Sequence, residues 1–586
     1  MKKILTALLV SVFICGCDKD LLDTTPYSAV SSDIMWTTDN LTDLGVGGVY
    51  SALRIGIGNS GDTSPYELYE MDRFGFTGES RGDEPLLTGT ITAGNGLFST
   101  IWKYMYEGIQ RANDAIVNIP VKSPSSDEKK ARYMAECKFL RAYFYFRLNQ
   151  LYKGVPIYLE PILPEQATKA RSTEDEVWAQ VLADLSDCIN EPNLPDRYVA
   201  GNANYGHVTK SAAYALRGKV YLYMKKWDLA AADFAKVKAA GHSLFPDYKA
   251  LFKTANEQSP EMIFSIQNVS QSGFGSSTQL YCGTRSSFGS GWNYYFPSPN
   301  LVDLYENKDG SRFNWDDVIP GYSSLTEAER EVYFLRNNLT EAEIAAARGR
   351  GAKMSLYLPT GNEQRIQRAY MNRDPRLEAT VITPYSTYLG SYNNTTTATV
   401  ATMRWPYRAQ AITGGDIQTD TQNYFYYLYR KFVYEGVSEI VDRNFGPTDF
   451  PIIRYADVLL MWAEALNEQG MTTEAIEKVN EVRARAGVAL LNSNSATTVT
   501  GQADLRERIR NERRVEFPNE GINYFDELRW KTWKEKVFYP GAGKKQVWGT
   551  NVSDYSYKGD FLYAWPIPTS EIQMNPNLVQ NPGWID

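Results

Sequence analysis

The sequence predicts a mostly α-helical protein, in which a scaffold of helical repeats carries a large, irregular, loop-rich insertion. Two stretches, residues 208–241 and 456–487, repeat the same spacing of bulky and small side chains. The region between them, about 260–450, is rich in Gly, Ser, Asn, Thr, Pro and aromatic residues, a composition typical of loops. Because the two repeats share one spacing, we expect their helices to stack across the insertion.

The shared spacing is that of a tetratricopeptide-like helix–turn–helix unit. Small residues let two helices approach closely, and large residues fill the space beside them. In the first stretch these positions are Tyr214, Gly218, Tyr221, Trp227, Ala230, Phe234 and Val237. In the second they are Leu459, Ala463, Leu466, Ala475, Val479 and Val482. Each stretch therefore predicts one pair of packed helices.

Helical patterns also fill the first part of the chain, at about 36–54, 99–119, 126–151 and 173–190. The last begins at Thr173, whose hydroxyl can form a capping box with Glu176. Inside the insertion, the charged and alanine-rich stretch 325–348 predicts further helix. The arginines of 510–514 are expected to form ion pairs on a scaffold helix.

The N-terminus carries an export signal. Lys2 and Lys3 precede a short apolar run, which is typical of a signal peptide over residues 1–16. Ile14-Cys15-Gly16-Cys17 resembles the bacterial lipobox, so Cys17 is predicted to be acylated and to become the new N-terminus. Residues 17–35 then form a lipidated, extended leader.

The acidic-rich residues Asp18-Lys19-Asp20 resemble the surface-export signal of Bacteroidetes lipoproteins. This resemblance implies a lipid-anchored protein on the outer face of the outer membrane. No apolar run of eighteen or more residues follows the signal, so no other membrane-spanning segment is predicted.

Composition excludes several classes of function. A net charge of -8, without a stripe of Lys and Arg, argues against nucleic-acid binding. Cys137, Cys188 and Cys282 are expected to be buried free thiols, and the absence of a CxxC pair argues against a cysteine zinc site. We expect no cofactor and no metal.

The sequence gives little indication of a catalytic site. The two histidines, His207 and His242, lie in no HExxH or nucleophile motif and are predicted to be surface or capping residues. The sequence contains no Walker pattern, and its GxSxG match at 78–82 and GxGxxG match at 56–61 are isolated short patterns that do not by themselves indicate a catalytic or nucleotide site. A glycosidase needs only two carboxylates, however, and the chain has 69 acidic residues. A lipid-anchored glycoside hydrolase therefore stays open as an alternative.

An aromatic loop is the strongest candidate for a ligand site. Sugar rings stack their C–H faces on aromatic rings and need planar polar partners for their hydroxyls. The segment 291–296 supplies Trp292 and Tyr294 as stacking platforms, Asn293 as a polar partner and Tyr295 as a further candidate. The alternative is that these rings pack under their own loop.

Two weaker candidates lie elsewhere. In the segment 73–83, Arg81 and Asp83 are candidates for binding hydroxyls, with mutual pairing as the alternative. The segment 403–407 offers one more tryptophan. The aromatic run 424–429 is instead predicted to be a strand or packed core.

Sequence blocks from the lipid site to the C-terminus carry a family resemblance. They lie at 135–146, 154–157, 210–216, 297–305, 373–376, 454–467, 510–517, 525–530, 566–568 and 575–584. Their ordered set resembles the SusD/RagB family of outer-membrane nutrient-uptake lipoproteins. One departure is 519–525, where a small residue and an arginine are more usual around Gly521.

The resemblance implies one SusD-like domain over 36–586, with helical repeats at about 36–260 and 450–535, a ligand-face insertion at about 260–450, and an irregular segment at 536–586. It implies a glycan receptor seated on a SusC-like TonB-dependent transporter, with peptide or another nutrient as an alternative ligand. Such a receptor is expected to show no turnover and a salt-insensitive affinity. A two-lobed, periplasm-facing binding protein would need alternating β and α patterns, which the chain lacks.

Overall fold

The computed structural model describes residues 32–54, 67–391, 396–408, 414–421, 423–437 and 442–585. Cys17, with the predicted signal peptide and lipidation site, lies outside the described residues. Within those residues, no helix combines the length and apolar character needed to cross a membrane.

Helices dominate the structure. Those of eight or more residues are α1 (Asp39–Ser51), α2 (Gly96–Lys122), α3 (Asp127–Tyr152), α4 (Glu174–Asn190), α5 (Lys210–Tyr223), α6 (Trp227–Ala239), α7 (Glu327–Phe334), α8 (Glu341–Gly349), α9 (Tyr455–Glu468), α10 (Thr472–Ala486), α11 (Gln502–Glu516) and α12 (Asn523–Trp530). Shorter helices are Ser32–Met35, Pro85–Thr88, Tyr248–Leu251, Thr278–Cys282, Pro299–Leu304, Trp315–Val318, Asn362–Gln367, Pro375–Thr380, Trp533–Val537 and Thr569–Met574. The expected mostly α fold is confirmed.

The strands are short and pair in twos, all antiparallel. They are β1 (Gly78–Ser80), β2 (Met262–Ile266), β3 (Tyr295–Pro297), β4 (Val381–Ile382), β5 (Thr387–Ser391), β6 (Ala398–Thr402), β7 (Leu428–Tyr429), β8 (Phe450–Arg454), β9 (Gly543–Lys545) and β10 (Asn551–Asp554). The pairs are β1–β3, β2–β8, β4–β7, β5–β6 and β9–β10. Most strands belong to the insertion, and β2–β8 joins its two ends.

Both predicted repeat units form the expected helix pairs. The first repeat gives α5 and α6, the second gives α9 and α10, and α9 packs against α6 across the insertion. Gly218 shows why the spacing matters: a Cβ there would lie 2.5 Å from the ring of Phe234, so only glycine allows this approach. The two repeat units therefore pack together in space although more than two hundred residues separate them in sequence.

The first four predicted helices are also present, with ends shifted by a few residues. At α4, the backbone N–H of Glu176 donates to the Thr173 hydroxyl at 3.2 Å, and the Thr173 N–H donates back to the Glu176 carboxylate at 2.7 Å. The capping box is thus confirmed. The stretch 325–348 forms two helices rather than one, because Thr340 starts a second capping box with Glu343.

The apolar core has two parts. One fills the space between the repeat helices, and the other lies inside the insertion. Met403 and Trp405 are buried in the insertion core, so Trp405 presents no exposed ring face for stacking. The run 424–429 is core and strand β7 as expected, apart from Tyr424, which is exposed. The three cysteines predicted to be free thiols are free and buried.

A buried network of charges joins the two cores. Glu512 and Glu516 of α11 pair with arginines from outside their own helix, and the network is completed by side chains of the insertion and of the repeats. Its members are Glu261, Asp374, Arg376, Lys431, Arg454, Arg483, Arg485, Glu512, Glu516 and Glu520. The sequence prediction of ion pairs for the arginines of α11 is confirmed: Arg513 pairs with Asp457 and Asp526, and Arg514 with Glu527.

Candidate ligand site

Strand pairing brings two predicted candidates together. β1 runs antiparallel to β3, with Ser80 opposite Tyr295. The Arg81 N–H extends this ladder by donating to the Tyr294 carbonyl at 2.7 Å. The segments 73–83 and 291–296, more than two hundred residues apart in sequence, therefore form one surface.

The aromatic loop is held by its own backbone. The N–H groups of Trp292, Asn293 and Tyr294 donate to carbonyls of residues 280–283 at 2.6–2.7 Å. A Cβ at position 291 would lie 2.4 Å from the Gly283 carbonyl oxygen, so the loop requires glycine there. Ser290 has φ 62°, and Asn293 has φ 36°. Such left-handed conformations cost about 1–3 kcal/mol each and are found preferentially at functional sites.

Trp292 and Tyr294 present half-buried rings. Both meet the ring of Tyr281 edge-on, at centroid distances of 5.8 Å and 6.3 Å. The guanidinium of Arg443 lies 5.6 Å from the Trp292 centroid, and that of Arg81 lies 5.2 Å from the Tyr294 centroid. The outcome is a rigid aromatic surface edged by cations, which we call the platform (Tyr281, Trp292 and Tyr294).

Two of the predicted ligand contacts are buried instead. Asn293 is 0% exposed: its amide donates to the Thr421 hydroxyl at 3.2 Å, and its carbonyl accepts from the Asp420 N–H at 2.8 Å. Tyr295 is 9% exposed, and its hydroxyl donates to Glu70 at 3.1 Å. In this structure both side chains lack the accessible surface expected of ligand contacts, because they fasten the loop to its neighbours.

Arg81 and Asp83 do not pair with each other. Arg81 bonds Asp420 at 2.8 Å, and Asp83 bonds Lys544 at 2.8 Å. Arg285 binds the same Asp420 carboxylate through two nitrogens, at 2.5 Å and 2.8 Å. Asp83 therefore sits beside the C-terminal segment, whereas Arg81 belongs to the rim of the platform.

Buried carboxyls lie in strand β1 and just before it. Burial raises the pKa of Glu79 to about 8, although the Lys545 N–H donates to this carboxyl and Lys544 and Lys545 lie nearby. Burial likewise raises the pKa of Asp72 to about 7. At neutral pH, Glu79 is therefore mostly protonated.

The histidines offer no catalytic constellation. His207 bonds Glu136 at 2.8 Å, and His242 is buried with Nδ1 2.9 Å from the Pro260 carbonyl oxygen. The prediction of a surface position is wrong for His242, because the segment around Pro260 covers it. Both rings line a cavity of about 20 Å³, roughly the space for one water. Among the described residues, no three His, Cys, Asp or Glu side chains are grouped to hold a metal.

A larger cavity lies on the repeat scaffold. It measures about 410 Å³, within the range of ligand pockets, and is bounded by α2, by 156–167 and by the C-terminal segment. Trp102, Tyr106 and Tyr158 are among its lining residues. Sequence reasoning missed it because its walls come from three separated segments; the only local signal was the pair Trp102 and Tyr106, one helical turn apart.

Comparison with known proteins identifies the family. A model described as "SusD family" matches residues 260–584, and one described as "Starch-binding associating with outer membrane" matches residues 20–222. SusD-like protein P38 of Formosa agariphila is 24% identical, over 98% of this chain and 97% of its own length. Starch-binding protein SusD of Bacteroides thetaiotaomicron is 24% identical, over 78% of this chain and 74% of its own length.

Solved structures agree in fold. A SusD-like carbohydrate binding protein from Bacteroides fragilis superposes with a TM-score of 0.71 and 25% identity, covering 93% of this chain and 100% of that one. A laminarin binding SusD-like protein superposes with a TM-score of 0.62 and 22% sequence identity, covering 94% of this chain and 100% of that one. The match to 260–584 spans more than half of the sequence. The chain therefore belongs to the SusD family.

Proposed function

We propose that this chain is a cell-surface glycan-binding lipoprotein that captures oligosaccharide or polysaccharide and delivers it to a partner SusC-like TonB-dependent transporter. The observation that carries the proposal is the platform: half-buried Trp292 and Tyr294, held by backbone bonds on a loop of the insertion. The names of relatives support it, since one is a starch-binding protein and another structure is a laminarin binding protein.

The geometry suits capture of a sugar. A rigid aromatic surface offers contact area with little entropy to lose on binding, so most of the stacking energy appears as affinity. Arg81 and Arg443 lie beside the rings and supply planar N–H donors for hydroxyls. The buried Asn293 contributes indirectly, by fixing Asp420 and Thr421 at the edge. We propose Trp292, Tyr294 and Arg81 as ligand contacts.

Trp292→Ala tests the site. A glycan array with residues 18–586 identifies a ligand, and calorimetry then measures its affinity. We expect the substitution to lower affinity about two- to tenfold, because it removes a stacking face worth about 0.5–1.5 kcal/mol. The unfolding midpoint should change little. Unchanged affinity for the identified ligand would remove Trp292 from the site.

A matched control is Trp462→Ala. Trp462 is a half-buried tryptophan of α9, with Lys478 Nζ 4.8 Å from its ring centroid, and it lies on the scaffold. This variant should bind glycan like the wild type. If Tyr106→Ala lowers affinity and Trp292→Ala does not, the ligand sits in the 410 Å³ cavity. Release of sugar products on incubation would favour the alternative, a glycoside hydrolase.

The anchor and the transporter partner need a separate test. We propose that acylated Cys17 tethers the protein to the outer membrane, facing the extracellular side. The full chain, purified in detergent from its own outer membrane, should carry with it a TonB-dependent barrel identified by mass spectrometry. Cys17→Ala should abolish membrane retention. Repeated recovery of lipidated protein without a barrel would contradict delivery to such a partner.

A further inference from the structure

Three arginines from distant parts of the chain meet at the turn before Trp292. Arg285 and Arg443 both donate to the Ser290 carbonyl, at 3.4 Å and 2.6 Å. Arg443 also donates to the Gly289 carbonyl at 3.0 Å, and Arg81 to the Trp292 carbonyl at 3.4 Å. Because two guanidinium groups share one carbonyl oxygen, they lie within a few ångströms of each other.

The positive charge of this cluster exceeds the negative charge around it. Asp420 bonds two of the guanidinium groups, those of Arg81 and Arg285. Arg443 has only carbonyl partners and the Trp292 ring among the residues that the structure describes. Like charges in proximity repel one another, so such a cluster is normally neutralised.

Among the described residues, neither of two nearby carboxylates forms an ion pair with Arg443. Asp83 is bonded to Lys544. Asp442, the chain neighbour of Arg443, accepts from the backbone N–H and side-chain amide of Asn444 at 2.8 Å and 2.7 Å. These observations point to a negative group supplied from outside the described chain.

We propose that the ligand of the platform is an anionic glycan, whose carboxylate or sulfate group is bound by Arg443 together with Arg285 and Arg81. The inference rests on the proposed glycan-binding function. Arginine suits the role because its planar fork of N–H donors matches a carboxylate or a sulfate in two-point contact. Arg443 borders the Trp292 ring, so a sugar stacked on that ring has its substituents within reach of the guanidinium.

The proposal is tested by comparing the affinities of charged and neutral forms of the same glycan. Oligogalacturonate and its methyl ester share one sugar chain and differ in the carboxylate charge and one small methyl group per residue, and dextran sulfate differs from dextran in its sulfate groups. We expect the anionic member of one pair to bind at least about tenfold tighter, with an affinity that falls between about 50 and about 500 mM NaCl as screening increases. This salt dependence reverses the salt-insensitive affinity expected from the sequence.

Arg443→Gln locates the charge. It should reduce affinity for the preferred anionic glycan about tenfold and affinity for its neutral partner by much less, because glutamine keeps N–H donors for hydroxyls but carries no charge. Lys236→Gln is the control: it removes the same charge from the exposed face of α6 and should bind like the wild type. Equal losses in both variants would mean that net charge alone is sensed, which overturns the proposal.

The remaining outcomes are equally decisive. Preference within the galacturonate pair assigns a carboxylate, and preference within the dextran pair assigns a sulfate. A glycan found by the array that binds whether neutral or charged, with no effect of Arg443→Gln, overturns the anionic inference and leaves the proposed function standing. Binding of no glycan, neutral or anionic, overturns both.

Discussion

Replacing Arg454 by methionine is expected to lower the free energy of unfolding by about 3–5 kcal/mol. The Arg454 side chain is 1% exposed and lies at the end of β8. It contacts three buried carboxylates: Glu261 at 2.8 Å, and Glu516 and Glu520 at 2.7 Å. Methionine has a similar volume, but it is uncharged, so each of these carboxylates loses its ion pair with Arg454.

The size of this effect comes from burial. An ion pair taken out of water gains little over an apolar pair, whereas removing one partner strands the other charge in a medium that solvates it poorly. Glu516 keeps Arg376 and Arg485, and Glu520 keeps Lys431, so the network loses part of its compensation, not all of it. Because its members come from the insertion and the repeats, both cores should weaken together.

Urea denaturation of wild type and variant measures the change. Arg506→Met is the matched control, because Arg506 pairs with Glu468 at 2.5 Å but its side chain is 32% exposed. Solvent screens such a pair, and we expect a loss of at most about 1 kcal/mol. Similar losses in the two variants would show that the buried network has no special role in stability.

Gly521→Ala is expected to destabilise the protein by about 2–4 kcal/mol. Gly521 has φ 66°, a conformation that a Cβ disfavours, and a Cβ there would lie 1.9 Å from the Leu68 carbonyl oxygen. That oxygen belongs to the backbone, so relief requires the chain itself to move. The preceding Glu520 is a member of the buried network, so the shift would also disturb its bonds to Arg454 and Lys431.

Gly47→Ala is the control for this substitution. Gly47 lies in α1 with no atom near the position of an added Cβ, and alanine favours helix there by up to about 1 kcal/mol. The two variants should therefore move the unfolding midpoint in opposite directions. A Gly521→Ala protein as stable as the wild type would show that the segment around Leu68 yields easily.

The departure from the family pattern at 519–525 is explained by the same contacts. Asn519 is buried with φ 63°, and its amide donates to the Lys431 carbonyl at 3.3 Å. Glu520 faces Arg454 and Lys431. The polar residues that flank this glycine are thus part of the contact between the repeats and the insertion, a role that local sequence does not reveal.

Local and periodic features of the fold were predictable. Helix spacing identified both repeat units, because each small residue such as Gly218 acts between two neighbouring helices. The capping box at Thr173 was predictable because both partners lie within one turn. Cys17 and the family blocks are likewise linear signals, read without knowledge of the fold.

The site was only half predictable. The sequence indicated Trp292 and Tyr294 through a cluster of aromatic residues beside glycine and serine, and the structure places each of their half-buried rings against the ring of Tyr281. It did not distinguish them from buried Asn293 and Tyr295, since adjacent residues of a loop differ in exposure only through what packs behind them.

The sequence by itself determined the class of fold, the family and the aromatic loop, since all three depend on residues close in the chain or on their order. Only the tertiary structure decided which charges meet. Arg81, Arg285 and Arg443 share the turn at 289–292, and Arg454 gathers three carboxylates. Electrostatic energy depends on distance in space and on burial, and neither is encoded in the spacing of residues along the chain.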